Sequence, residues 1–242
     1  MARSDKRMLV IIPTYNEIDN IQRILPAVLD TEKALEVLVV DDNSPDGTGA
    51  AVKQMMKKTK RIHLMERAGK SGLGKAYVAG FRYALEHGYD YIFEMDADFS
   101  HNPKDLPRFI DEMDDADLVI GSRYVQGVTV VNWPVSRLLL SYSANLYIRF
   151  VTRIPVKDAT AGFRCYKREV IKNINLNLIH SDGYAFQVEM AYKAWRSGFR
   201  LKEIPVVFVD RTVGESKMSS GIIGEAAWLV WKLRIDDLFK KK

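Results

Sequence analysis

Short runs of aliphatic and β-branched residues recur through the first half of the chain: Leu9-Val10-Ile11-Ile12, Val37-Leu38-Val39-Val40, Ile62-His63-Leu64, Tyr91-Ile92-Phe93 and Leu118-Val119-Ile120. Between them apolar residues return every three or four positions, as at Ile21, Ile24, Leu25, Val28 and Leu29, which lines one face of a helix. The alternation predicts an α/β fold with a mostly parallel sheet flanked by helices. Ligands bind such sheets beyond the carboxyl ends of the strands, so the polar segments that follow each run are where chemistry is expected. A further strand is expected from about 200 to 209.

Two stretches break this rhythm. Trp133 to Arg153 reads as a helix that is apolar on most sides yet carries Arg137, Arg149 and Arg153. A core helix would show a cleaner polar face, whereas Trp, Tyr and Arg beside aliphatics suit a helix lying in a membrane interface, which is the reading favoured over a core helix. Ile222, Ile223, Ala226, Ala227, Val230, Trp231 and Leu233 repeat the pattern before Lys240-Lys241-Lys242. Such a basic tail either adds about 1 kcal/mol per Lys or Arg near anionic lipid or is simply solvated. Residues 134–153 and 222–239 are therefore the candidate interface helices. The nearest approach to a membrane span, Leu138 to Ile148, is bracketed by Arg137 and Arg149 and interrupted by Ser141, Ser143 and Asn145, well short of the roughly 20 apolar residues a crossing needs.

With 242 residues, 47% of them hydrophobic, the chain can bury one substantial core, and a single domain over 1–242 is expected. The net charge of +5 points to an anionic partner without choosing among nucleic acid, phospholipid and phosphorylated substrate. No nucleic-acid recognition motif accompanies it. Cys165 is the only cysteine, which excludes an intramolecular disulfide and a cysteine zinc cluster. The first residues lack an apolar signal core, so a cytoplasmic protein is expected.

The chemistry-bearing segment is Phe93-Glu94-Met95-Asp96-Ala97-Asp98-Phe99-Ser100. On an extended backbone Asp96 and Asp98 share a face, and paired carboxylates suit Mg²⁺ or Mn²⁺ completed by substrate phosphate oxygens. A helix-capping turn near Pro103 is the plainer alternative. Asp41 or Asp42, after a buried strand, is placed to accept hydrogen bonds from a ribose or base, although Asn43-Ser44-Pro45-Asp46-Gly47 makes a tight turn unaided. Gly69-Lys70-Ser71-Gly72-Leu73-Gly74-Lys75 lacks Walker spacing and serves either helix entry or close approach to a nucleotide. Asp210 to Ser220, with Arg211 and Lys217 at opposite ends, reads either as a lid that closes basic groups over phosphates or as an exposed loop.

Taken in order, Pro13-Thr14-Tyr15-Asn16-Glu17, Asp41 to Thr48, Gly72-Leu73-Gly74, Asp96-Ala97-Asp98, Gly121-Ser122-Arg123-Tyr124, Asp158 to Phe163 and Arg211 to Ser219 resemble the polyprenol (dolichol) phosphate mannose synthases of the family 2 glycosyltransferases, over nearly the whole chain. The resemblance implies a GT-A fold and inverting transfer of mannose from GDP-mannose to a polyprenyl phosphate on the cytoplasmic membrane face. It places Pro13, Tyr15, Glu17 and Asp42 at the guanosine end with Lys70 nearby. Asp96, Ala97 and Asp98 fall at the donor, and Asp96 and Asp98 at Mg²⁺ or Mn²⁺, with Ser100 in the third ligand position, where some members carry Gln. Arg123, Arg137, Arg211 and Lys217 would bind donor diphosphate and acceptor phosphate, with Ser141 beside the acceptor; Asp96, Asp98 and Arg123 form the implied catalytic set. Many relatives carry transmembrane helices after this region, so attachment through the amphipathic segments or a membrane-anchoring subunit is expected.

A phosphate monoester, with a second pKa of about 6, is already anionic at neutral pH and needs no general base. Catalysis by positioning and electrostatics is therefore expected. Transfer from UDP-glucose, a sugar-1-phosphate nucleotidyltransferase, and a nucleotide- or lipid-binding regulatory subunit are the competing readings.

Overall fold

The computed structural model describes residues 6–210 and 228–236. Seven strands form one sheet in the order β3-β2-β1-β4-β7-β5-β8: β1 (Met8–Thr14), β2 (Leu35–Asp41), β3 (Ile62–Glu66), β4 (Tyr91–Glu94), β5 (Leu118–Ser122), β7 (Arg164–Lys167) and β8 (Leu201–Pro205). All neighbours run parallel except β7, which is antiparallel to β4 and β5. Period-2 side-chain direction sorts β1 between two cores. Leu9 and Ile11 join one cluster with α3 (Leu73–Glu86), α6 (Arg168–Asn173) and α7 (Gly183–Arg196). Met8, Val10 and Ile12 join the other with α1 (Ile18–Leu29), α2 (Thr48–Met56) and α4 (Leu106–Glu112). A sheet covered on both faces is why the strands read as continuous apolar runs.

The expected strand over 200–209 is two. β8 ends at Pro205, which has no N–H to extend a ladder, and β9 (Phe208–Val209) pairs instead with β6 (Val130–Val131) in a separate two-stranded sheet. β7 was not expected, because Arg164-Cys165-Tyr166-Lys167 carries no apolar run.

Helix α5 (Val135–Thr152) occupies most of the predicted 134–153 segment. Only Asn145, Ile148, Val151 and Thr152 are buried, while Leu139, Leu146 and Phe150 are exposed. A second helical stretch, 228–236, seats Val230 and Leu233 in the same cluster as Ile148 and Val151 and exposes Trp228, Trp231 and Ile235. Among the described residues no helix is long and apolar enough to cross a membrane.

Candidate active site

The strand order steps from β2 on one side of β1 to β4 on the other, and at such a switch the two connections leave in opposite directions and open a crevice at the carboxyl edge. The segments after β1, β2, β3, β4 and β5 meet along that edge. Three of them contain a non-glycine residue at positive φ: Asn16 (61°), Asn43 (58°) and Phe99 (59°). Asparagine tolerates this region, whereas a bulky Phe there is strained.

Of the two neighbouring aspartates, Asp41 is internal. Its Oδ1 accepts from the hydroxyls of Thr14 (2.8 Å) and Ser44 (2.6 Å), and its Oδ2 from the Ser44 N–H (2.9 Å). Asp42 turns instead toward the crevice, forming an ion pair with Arg67 (3.0 Å) and accepting from the Ser71 N–H (3.4 Å). Burial pushes its carboxyl up, only partly offset by the Arg67 charge. Asp46 clamps the segment after β1 by accepting from the Ile18 N–H at 3.0 Å, and Thr48 Oγ1 accepts from the Glu17 N–H at 3.0 Å. Glu17 in turn accepts from Asn20 Nδ2 (2.8 Å). Lys70 Nζ lies over the Tyr15 ring, 4.4 Å from its centroid, and Pro13 lies opposite Val40, one residue before the end of β1. The structure thus brings Tyr15, Lys70 and Asp42 to one end of the crevice. Arg67, which sequence reasoning missed, completes that end; it followed a strand without any motif to mark it.

Of the glycines in 69–74, Gly72 and Gly74 serve close packing at the start of α3. A Cβ on Gly72, whose φ is +107°, would lie 2.2 Å from Asp182 Oδ2, and one on Gly74 would lie 2.5 Å from the Ser181 carbonyl oxygen. Asp182 Oδ1 accepts from the N–H groups of Gly74 (2.6 Å) and Gly183 (2.8 Å), capping α3 and α7 together.

β4 stops at Glu94, and Asp96-Ala97-Asp98 lies beyond it on a bend rather than on the extended backbone expected. Asp96 and Asp98 therefore owe their orientation to local partners. The Tyr77 hydroxyl approaches Asp96 Oδ1 at 3.5 Å, and the Asp96 N–H donates to His101 Nδ1 at 3.2 Å. That acceptor role makes His101 the neutral Nε2–H tautomer, consistent with burial pushing its pKa down. His101 stacks on Phe163 at 4.9 Å. Ser100 directs both its N–H (3.0 Å) and its hydroxyl to Asp98 Oδ1. The capping alternative fails here, since Asn102 rather than Asp98 caps the turn at Pro103–Asp105. Ala97, between the two carboxylates in the chain, is buried. Their hard oxygens fit Mg²⁺ or Mn²⁺ that takes its remaining ligands from a substrate diphosphate.

Arg123 follows β5 and is buried. It donates from Nε (2.7 Å) and from its backbone N–H (3.0 Å) to Asp158 Oδ2, and from Nη2 to Asp158 Oδ1 and Thr160 Oγ1, both at 2.7 Å. Buried Arg164 shapes the same loop from behind, donating to the carbonyls of Ala161, Gln187 and Ala159 at 2.7 Å each. Trp133 lies under two cations, 5.3 Å from Arg123 and 4.1 Å from Arg137. Arg137 pairs with Asp210 (2.7 Å), and the Tyr124 hydroxyl donates to Ser141 Oγ at 2.8 Å. Arg123, Arg137 and Ser141 are thus gathered around Trp133 and Tyr124. Arg211, Lys217 and the ends of the 222–239 segment lie outside the described residues. Glu189, in the middle of α7, pairs with Lys193 (2.6 Å) and accepts from the Ser181 hydroxyl.

A crevice at the switch point, with two carboxylates past β4 and an arginine past β5, accords with the GT-A glycosyltransferase fold, which solved structures share. Glucosyl-3-phosphoglycerate synthase from Mycobacterium tuberculosis, solved with Mn²⁺, UDP and glucosyl-3-phosphoglycerate, superposes with a TM-score of 0.68 at 15% identity, covering 97% of this chain and 81% of that one. A mannosyltransferase from Pyrobaculum calidifontis, in complex with GDP-mannose and Mn²⁺, gives 0.59 at 19% identity, covering 98% and 76%. The chain belongs to glycosyl transferase family 2, whose model matches residues 9–174. Its relatives include the undecaprenyl-phosphate mannosyltransferase of Micrococcus luteus, 49% identical over 91% of this chain and 90% of that protein, and the polyprenol monophosphomannose synthase of Mycolicibacterium smegmatis, 48% identical over 96% and 89%.

Proposed function

We propose that this glycosyltransferase moves mannose, with inversion, from GDP-mannose to a polyprenyl monophosphate at the cytoplasmic face of a membrane. The observation that carries the reading is a junction at the crevice: the charges of Asp96, Asp98 and Arg123 all reach His101, and Arg123 shares Trp133 with Arg137 on a helix that exposes Leu139, Leu146 and Phe150. An acceptor with a phosphate head and an apolar tail matches that arrangement. The names of the two bacterial relatives agree with it.

Asp96 and Asp98 would hold Mg²⁺ or Mn²⁺, which when bound neutralises charge developing on the departing diphosphate. Asp42 offers a carboxylate to the donor's base, and Tyr15 a ring face. Arg123, fixed by Asp158, supplies one cation, and Arg137 adds a second, stacked on Trp133. These donors orient the acceptor phosphate for in-line attack on the anomeric carbon, so the residues supply positioning and charge rather than proton transfer.

The test is transfer of radiolabelled sugar from GDP-mannose, with UDP-glucose in parallel, to a short polyprenyl phosphate with Mn²⁺ or Mg²⁺. Mannolipid that needs the metal and falls about a hundredfold or more in Asp98→Ala is expected. Glucolipid replaces the donor assignment, and no lipid product from folded protein overturns the reading.

A further inference from the structure

Helix α5 presents apolar side chains outward along most of its length, yet one buried position carries an amide. Asn145 is 2% exposed, whereas Leu146 beside it is 47% exposed. Burying an amide is costly unless its polar atoms are paired, and all of those of Asn145 are. Nδ2 donates to the Ser141 carbonyl and to Thr160 Oγ1, both at 3.0 Å, and Oδ1 accepts from the Ala159 N–H at 2.9 Å. Thr160 Oγ1 relays the contact: it accepts from Asn145 and from Arg123 Nη2 (2.7 Å) and donates to Asp158 Oδ1 at 3.1 Å. One proton and two lone pairs are thereby all used. A fully satisfied buried network fixes a single arrangement. An aliphatic side chain would seat the helix as well as its neighbours Ile148 and Val151 do, so the amide is accounted for by orientation rather than burial.

We infer that Asn145 is a positioning residue for the acceptor phosphate: it locks α5, which carries Arg137 and Ser141, to the Asp158–Thr160 loop that holds Arg123. The inference rests on the functional reading above, in which those three residues bind the acceptor. The donor end of the crevice, at Asp42 and Tyr15, has no part in this network. Asn145 therefore sets acceptor affinity without setting donor affinity.

The variants are Asn145→Asp, which keeps the shape but turns the Nδ2 donor into an acceptor facing the Ser141 carbonyl and Thr160, Thr160→Val, which removes the relay hydroxyl, and the double variant, all in the full chain. Transfer is measured against polyprenyl phosphate at saturating donor and against donor at saturating acceptor. Each single change is expected to raise the acceptor KM about tenfold and leave the donor KM within about twofold. The double variant should be no worse than the worse single, since both break one link. An unchanged acceptor KM, a parallel rise in both KM values, or additive effects would overturn the inference. Thr160→Val leaves the seat of the helix intact and carries the same test if Asn145→Asp does not fold. A wild-type enzyme that makes no lipid product from either donor overturns the functional reading and this inference together, whereas normal kinetics in the variants of a working enzyme overturn this inference alone.

Discussion

Arg123 is oriented by a carboxylate that is itself fully buried. Burial pushes the Asp158 carboxyl up, but the charge and hydrogen bonds of Arg123 outweigh it and hold the group below the usual carboxylate range. Asp158→Ala would strand the guanidinium in the interior, a loss of about 3–5 kcal/mol that should lower Tm by on the order of 10 °C in calorimetry; a shift of a degree or less would mean that Arg123 finds water instead. Which of two adjacent residues faces a ligand is a question at this scale that sequence left open. Asp41 and Asp42 follow the same buried strand, and their separation into an internal acceptor and a crevice carboxylate depends on Thr14, Ser44 and Arg67, which reach them from elsewhere in the chain. The glycines at 72 and 74 were legible as a special turn but not in purpose, because the atoms they make room for belong to Ser181 and Asp182, more than a hundred residues away.

Among the elements, α5 departs furthest from an ordinary core helix. Phe150 is 84% exposed and Leu139 is 59% exposed, and large apolar side chains that stay in water each forgo roughly 1.5–3 kcal/mol of transfer energy. Embedding them in a membrane interface, where the proposed acceptor resides, would recover it. The double variant Leu139→Glu/Phe150→Glu should bind vesicles of anionic phospholipid at least about tenfold more weakly in sedimentation, with unchanged circular dichroism. Equal binding would assign attachment to another surface. That this helix would not be an ordinary core helix was legible in the sequence, because Trp, Tyr and Arg lie scattered among the aliphatics of the 133–153 segment. β7 was not, since a four-residue strand with Arg and Lys at its ends has no periodicity to read, and its pairing is imposed by β4 and β5 on either side.

At the scale of the whole molecule, the sheet carries a buried acid at its centre. Burial pushes Glu94 from 4.5 up to about 8, against the pull of the Arg164 charge. Between those values the folded chain holds a proton that the unfolded chain has released, so stability falls as pH rises through this window and levels off above about 8. Glu94→Gln should flatten the decline, giving a Tm above that of wild type at pH 9 and a smaller difference at pH 5, measured in chelator; parallel curves would show that Glu94 is ionised throughout. The sequence by itself determined the class of fold, because runs of buried strand and helical spacing are local patterns that only a sheet covered on both faces satisfies. It also marked the segments that gather at one edge of that sheet, because polar residues directly after such runs fall there. Only the tertiary structure decided how those segments face one another. Asp42 against Arg67, Arg123 against Asp158, and Asn145 against Thr160 are contacts between side chains whose relative placement depends on the packing of several elements at once, and no local pattern in the chain encodes that.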